Sequence, residues 1–158
     1  MAGLHEAAEA RGWKVLRLNF EALLDSDEVQ IYGGREEGPA LYRGWMLSVR
    51  HYTVLFEGLA ERGIDLVTTP KAYRTAHTLP GWYEAMKDYT PQSWIEEDMK
   101  NAEYPVIVKD YVKSAKHLWD EACFIPDRDS TISITDRFVQ ERGDAFEGGL
   151  ILREYVPD

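Results

Sequence analysis

The chain has 158 residues, 44% of them hydrophobic and 12% aromatic, with a formal net charge of −10 at pH 7. That length suits one ordinary domain or two small half-domains, and the apolar and aromatic content argues against disorder. The acidic balance argues against broad nucleic-acid binding, which needs many cations to displace counterions, and leaves anion binding to local clusters of lysine or backbone N–H.

From the N-terminus, MAGLHEAAEARG lacks the apolar core of a signal peptide, and no later apolar run approaches membrane-spanning length. A soluble cytoplasmic protein is expected. Met1–Arg11 is predicted as a helix, with Leu4, Ala7 and Ala8 at helical spacing and Gly12 placed to end it. WKVLRL follows as a strand. EVQIY and ALYRGW are two more strand candidates, separated by the turn-rich GGREEGP, and Arg43 falls at the end of the second. Val49, Tyr52, Phe56 and Leu59 share one helical face, Gly63 stops that helix, and IDLVTT reads as a strand. The helix–glycine–strand order occurs twice, which indicates an α/β layering rather than a bundle or sandwich.

Pro70 and Pro80 punctuate TPKAYRTAHTLPGWYEAMKDY, read as two short helices, and TPQSW reads as a linker into a second α/β unit. There PVIVKD is a strand, SAKHLWDEACF a helix and IPDRDS a turn. Residues 133–142 form a helix anchored by Phe138 and Val139. Gly143 and the pair Gly148–Gly149 bracket DAFE, and LILREYV reads as the last strand. Cys123 is the only cysteine, which excludes an intrachain disulfide and a Cys-based zinc cage and reads as a packing residue. The chain opens in a helix, where α/β nucleotide folds usually open with a strand, and stops shortly after a strand. Both ends are expected to be cut.

Several familiar motifs are missing. No G-x-G-x-x-G follows a strand, GGREEG lacks the following G-K-[ST] and reads as a surface turn, and no G-x-S-x-G elbow is present. His5, His51, His77 and His117 are scattered, and the acidic runs Glu96–Asp98 and Asp127–Asp129 are expected to face solvent.

The stretch YPVIVKDYVKSAKHLW differs. A buried parallel strand ending in Lys109 would deliver that lysine to the carboxyl edge of the sheet, where α/β folds place ligands. Lys113, Ser114 and Lys116 would follow in the loop and first helical turn, and lysines, a hydroxyl and a helix N-terminus together make an anion site suited to phosphate. A solvated face whose lysines offset nearby acids accounts for the spacing equally well.

The segments YRGWML, TPKAYRTAHTLPGWY, TPQSW, YPVIVKDYVKSAKHLWDEA and FVQERGDAFEGGLILREYV resemble the ATP-grasp superfamily. More narrowly, they resemble a clade of bacterial and phage ATP-grasp domains named for two arginines and one lysine. The stretch from Pro105 to Val156 carries most of the specificity. The resemblance implies an α/β chain in which a pre-ATP-grasp-like layer (residues 1–89, without its opening strand) precedes the N-terminal subdomain of an ATP-grasp fold (residues 90–158). It implies that Lys109 contacts the α-phosphate side of ATP. The usual glycine-rich covering loop is replaced by the glycine-free DYVKSAKH, so Lys113, Ser114 and Lys116 are left to cover the outer phosphates. Glu154, Tyr155 and Val156 match the adenine-holding hinge, and Arg142 and Arg153 match the two arginines, facing phosphate or an acidic substrate. A plain structural role for Arg142 at a helix C-terminus stays open. So does one for Arg43, which the first layer would otherwise present to substrate.

The implied activity is carboxylate–amine or carboxylate–thiol ligation through an acylphosphate, driven by charge neutralisation and alignment. Its partners would be ATP and small-molecule or peptide carboxylates and amines, with no nucleic acid or membrane. Mg²⁺ ligands are expected in a C-terminal lobe missing from this sequence, and the chain alone is expected to be inactive. Two alternatives stay open: a non-catalytic nucleotide-binding or protein-interaction module, and an α/β protein unrelated to ATP whose lysines are surface charge.

Overall fold

A computed structural model describes residues 2–157. It is a mixed α/β chain that divides into two compact units, Met1–Tyr73 and Arg74–Asp158.

In the first unit, α1 (Ala2–Glu9) ends near the predicted stop at Gly12, whose φ of 76° is the left-handed conformation glycine tolerates. Met1, with which the predicted helix begins, lies outside the described residues, as does the Leu4 side chain. The strand predicted in WKVLRL contracts to β1 (Arg17–Leu18), which pairs antiparallel with β2 (Ile31–Tyr32). Between them, α2 (Phe20–Ser26) is capped by Asn19, whose side chain accepts from Ala22 N. β3 (Gly38–Ala40) pairs in parallel with β4 (Ile64–Leu66) across α3 (Val49–Ala60). The strand predicted over ALYRGW therefore begins too late. Beyond Ala40 the chain leaves the sheet, and the Tyr42 hydroxyl donates to Trp45 O to close a turn, so Arg43 sits in an exposed irregular segment instead of at a strand end.

α3 turns Val49, Tyr52, Leu55 and Leu59 inward, with Phe56 only partly buried. They join Leu23, Val29, Leu47, Ile64 and Leu66 in the core of this unit. Tyr52 stacks on Tyr73 at 3.8 Å between ring centroids, and the Tyr73 hydroxyl donates to Leu47 O. Burial, followed by the neighbouring Tyr73 and Tyr52, pushes the Tyr42 hydroxyl up to about 12.

α4 (Pro70–His77) spans the division between the units, and α5 (Leu79–Met86) follows, as the two predicted short helices. The second unit is built on one four-stranded sheet in the order β5-β8-β6-β7, formed by β5 (Ser93–Ile95), β6 (Val106–Lys109), β7 (Phe124–Ile125) and β8 (Ile151–Glu154). Every pairing in it is antiparallel. Three expectations are corrected here. The strand ending in Lys109 is antiparallel and half-covered, in place of the predicted buried parallel strand. TPQSW is no linker, because its Ser93 and Trp94 belong to β5 and Trp94 is 5% exposed. The helix predicted over SAKHLWDEACF shrinks to a 3-10 turn at Lys116–Leu118 and the single turn α6 (Trp119–Ala122), and Phe124 starts β7.

Side chains alternate across a strand with period two. Val106 and Val108 therefore share one face with Trp94 and Leu152, and α7 (Thr131–Arg142) lays Ile134 and Phe138 against it. Ile134 and Phe138, one helical turn apart, are the anchors of α7. Val139, predicted as an anchor, is 41% exposed because the step from Phe138 to its neighbour carries it round the helix, off that inward row. Ala115, Ala122 and Ile125 complete the core, and the fully buried Cys123 packs beside it as predicted.

Candidate nucleotide-binding face

The opposite face of the same sheet carries the chemistry. Lys109 stands opposite Ile151, and Ile107 stands between Arg153 on one side and Phe124 on the other. Ser93 pairs with Arg153 at the β5 edge. One sheet face thus gathers a lysine, an arginine, an isoleucine and a phenylalanine, all partly exposed. Past the end of β8, Tyr155 meets Phe124 edge-on at 5.1 Å and Trp119 at 5.7 Å, and Trp119 stacks on Phe124 at 5.4 Å. This aromatic group touches the predicted hinge, and the sequence reading did not assign Trp119 or Phe124 to it.

Lys109 donates one hydrogen bond, to Val112 O at 3.3 Å; an ammonium has three donors. Burial is the main cause that pushes its ammonium down to about 8, the nearby Arg153 adds to it, and Asp110 opposes it. Arg153 is held by Thr90, whose hydroxyl accepts from its guanidinium, and its Cζ lies 5.9 Å from the Trp82 ring centroid on α5. Burial lowers this guanidinium too, with Tyr83 opposing. An anion brought to this face would relieve two cations that desolvation makes costly, Lys109 being burdened further by Arg153.

The other candidate residues are placed less uniformly. Lys113 and Lys116 are exposed and Ser114 is half-buried. The Cys123 thiol is pushed up by burial, against the Lys116 charge and hydrogen bonds from the Ser114 side chain and Ala115 backbone, so Ser114 is engaged inward. At the hinge, Glu154 N donates to Gln92 O and Tyr155 N to Pro105 O, while Val156 is 57% exposed. Arg142, at the end of α7, donates from Nε to Asp110 Oδ2 at 2.9 Å. Arg43 lies in the first unit, exposed.

Asp110 is the residue that sequence reasoning missed. It is fully buried, and its carboxylate accepts from Val112 N, Lys113 N, Arg142 Nε and Glu147 N. An aspartate accepting from backbone N–H groups two and three residues on is a turn signal. Reading PVIVKD to its last letter as strand hides that signal.

Residues 91–157, somewhat under half of the chain, match a family model described as an ATP-grasp domain, family 3 of the clade named for two arginines and one lysine. This segment is similar to ATP-grasp domains of that clade. The match covers β5 to β8 and every candidate residue except Arg43, and it supports a nucleotide-binding ATP-grasp module there. No curated protein and no solved structure matches the chain. Among the described residues no helix is long and apolar enough to cross a membrane, and no three His, Cys, Asp or Glu side chains group as a metal cage.

Proposed function

We propose that the ATP-grasp segment binds ATP on the charged face of its sheet, as the nucleotide-holding part of a carboxylate–amine or carboxylate–thiol ligase. The observation that carries this reading is the convergence of Lys109 and Arg153 on one partly open face that ends in the Trp119–Phe124–Tyr155 group. Lys109 meets the phosphates nearest the nucleoside, and the exposed Lys113 and Lys116 lie along the outer ones. The backbone of Glu154, Tyr155 and Val156 reads the adenine edge, and the aromatic group offers the base an apolar wall. In the reaction, a carboxylate oxygen bonds to the γ-phosphorus of ATP and ADP leaves. An amine or thiol then displaces phosphate from the acylphosphate. The chain's own part is to neutralise the phosphates and fix their direction. Mg²⁺ would add charge neutralisation when bound, although the described residues offer no His, Cys, Asp or Glu cluster to hold it.

Thermal unfolding of the full chain with and without MgATP tests the assignment. ATP is expected to raise the melting temperature, and Lys109→Ala to abolish that rise while the ligand-free protein still folds. An undiminished rise in Lys109→Ala removes Lys109 from the site. No rise in the parent chain overturns ATP binding.

A further inference from the structure

The loop that follows Lys109 departs from the glycine-rich cover of the wider superfamily, and its shape is set by Asp110. Oδ1 accepts from Val112 N at 2.7 Å and Lys113 N at 2.6 Å, while Asp110 N donates to Lys113 O at 2.9 Å, closing a tight turn. Oδ2 accepts from Arg142 Nε at 2.9 Å and Glu147 N at 3.3 Å, which ties that turn to the end of α7 and to the segment before β8. Tyr111 is fastened as well. Its N–H donates to Glu147 O, its carbonyl accepts from Leu79 N, and its hydroxyl donates to Glu96. Its ring lies where a side chain at Gly148 would stand, because a Cβ there would come within 2.0 Å of Tyr111 Cδ2. The glycines absent from the loop are thus found across from it, at Gly148–Gly149, where they admit the ring. Gly148 also needs the freedom of a glycine for its φ of 79°.

The charge of Asp110 matters in two ways. A carboxylate next to Lys109 would repel phosphate if it faced the sheet's open side. Here all its acceptor capacity is turned inward and one guanidinium balances it. Burying a carboxylate is costly unless it is fully hydrogen-bonded. A hydrophobic residue would serve stability more simply, but it could not gather two successive N–H groups into a turn and hold Lys113 at its rim. Lys109 joins the same turn through Val112 O.

We propose that Asp110 is the positioning residue of the phosphate-binding loop, holding Lys109 and Lys113 at a preformed triphosphate cradle and using Arg142 as its counter-charge. This rests on the ATP reading above. It assigns Arg142 to the loop's support, where its effect on ATP passes through Asp110.

Titration calorimetry of the full chain with MgATP and with adenosine, on the parent and on Asp110→Asn, separates positioning from general stability. The amide keeps one acceptor for the turn but turns a donor toward Arg142 and Glu147 N. ATP affinity is expected to fall roughly tenfold or more, with adenosine affinity unchanged within about twofold. Equal losses for both ligands overturn the proposal, since a carboxylate that only supports the fold would not distinguish them. Should Asp110→Asn not fold, the parent chain still decides the matter. Its Val112 and Lys113 amide resonances are expected to shift with ATP and to stay in place with adenosine. ATP that binds without moving them overturns the role of Asp110 and leaves ATP binding standing. A parent chain that does not bind ATP overturns both.

Discussion

The two faces of the four-stranded sheet are made by the same strands, yet they put their residues to opposite uses. On one face Val106, Val108, Trp94 and Leu152 are buried under Ile134 and Phe138 of α7. On the other, one residue away along each strand, stand Lys109, Ile107 and Arg153. The first face gains from removing apolar surface from water. The second holds two cations that burial disfavours, and Arg153 lowers the charged form of Lys109 further. A charge placed at such cost in a half-covered site marks function more reliably than an exposed lysine does. The difference separates the face that folds this domain from the face proposed to bind ATP.

The largest test of that separation is Phe138→Ala. Phe138 is completely buried, and truncation should cost about 3–5 kcal/mol in urea unfolding. ATP affinity of the folded fraction should stay the same. A matching loss of affinity would show that the two faces do not act separately.

Lys109→Met works in the opposite direction. The folded lysine titrates at about 8 against an ordinary 10.5, so between those values the folded chain binds fewer protons than the unfolded one and stability rises with pH. Below about pH 8 the buried ammonium is a full burden on the fold. Replacing it should therefore stabilise the protein at pH 7 by on the order of 1–2 kcal/mol, after discounting for its partial exposure, while ATP binding is lost. The gain should shrink as pH climbs toward 10.5, where both states of the parent lose the charge. Destabilisation at pH 7 would mean that Lys109 is a fold residue.

How far the site was legible in the sequence follows the same division. The apolar run of PVIVK marked β6 with Lys109 at its end, because an apolar run and the charge that closes it are local properties. Whether β6 ran parallel or antiparallel depended on β8 and β7, which lie far along the chain, and a short apolar run looks alike in either setting. β5 was lost for a related reason. Three residues beside Pro91 carry little period, and only pairing with β8 makes Ser93–Ile95 a strand. Val139 misleads because it is apolar and adjacent to Phe138; the helix places Ile134, not Val139, beside Phe138 on the inward row. Asp110 is the sharpest case. Its turn toward Val112 and Lys113 was local and readable, but its bonds to Arg142 and Glu147 N needed the fold.

The pH dependence of ATP affinity is a gentler probe of the charged face. Lys109 loses its proton near 8 in the free protein, whereas an adjacent phosphate favours the protonated form. Binding above that point must take up a proton, so affinity should fall roughly tenfold between about pH 7 and pH 9. Burial sets this titration first, Arg153 lowers it further and Asp110 raises it. Calorimetry in two buffers of different ionisation enthalpy would register the proton directly. A flat profile would take Lys109 away from the phosphates.

The smallest expected effect falls on the helix that covers the apolar face. Val139 follows Phe138 in α7, but it is 41% exposed where Phe138 is fully buried. Truncating it removes little buried surface, and alanine is the better helix former by a few tenths of a kcal/mol. Val139→Ala should therefore change stability by no more than about 0.5 kcal/mol in either direction. Ile134→Ala, one turn before Phe138 and 9% exposed, should cost about 2–4 kcal/mol under the same conditions. The pair compares two β-branched residues in one helix that differ in the face they occupy. Equal costs would place Val139 in the core, rotating α7 on the sheet and shifting Arg142 away from Asp110. Unequal costs in the stated order fix the register of α7, and with it the 2.9 Å contact that joins the helix to the loop after Lys109.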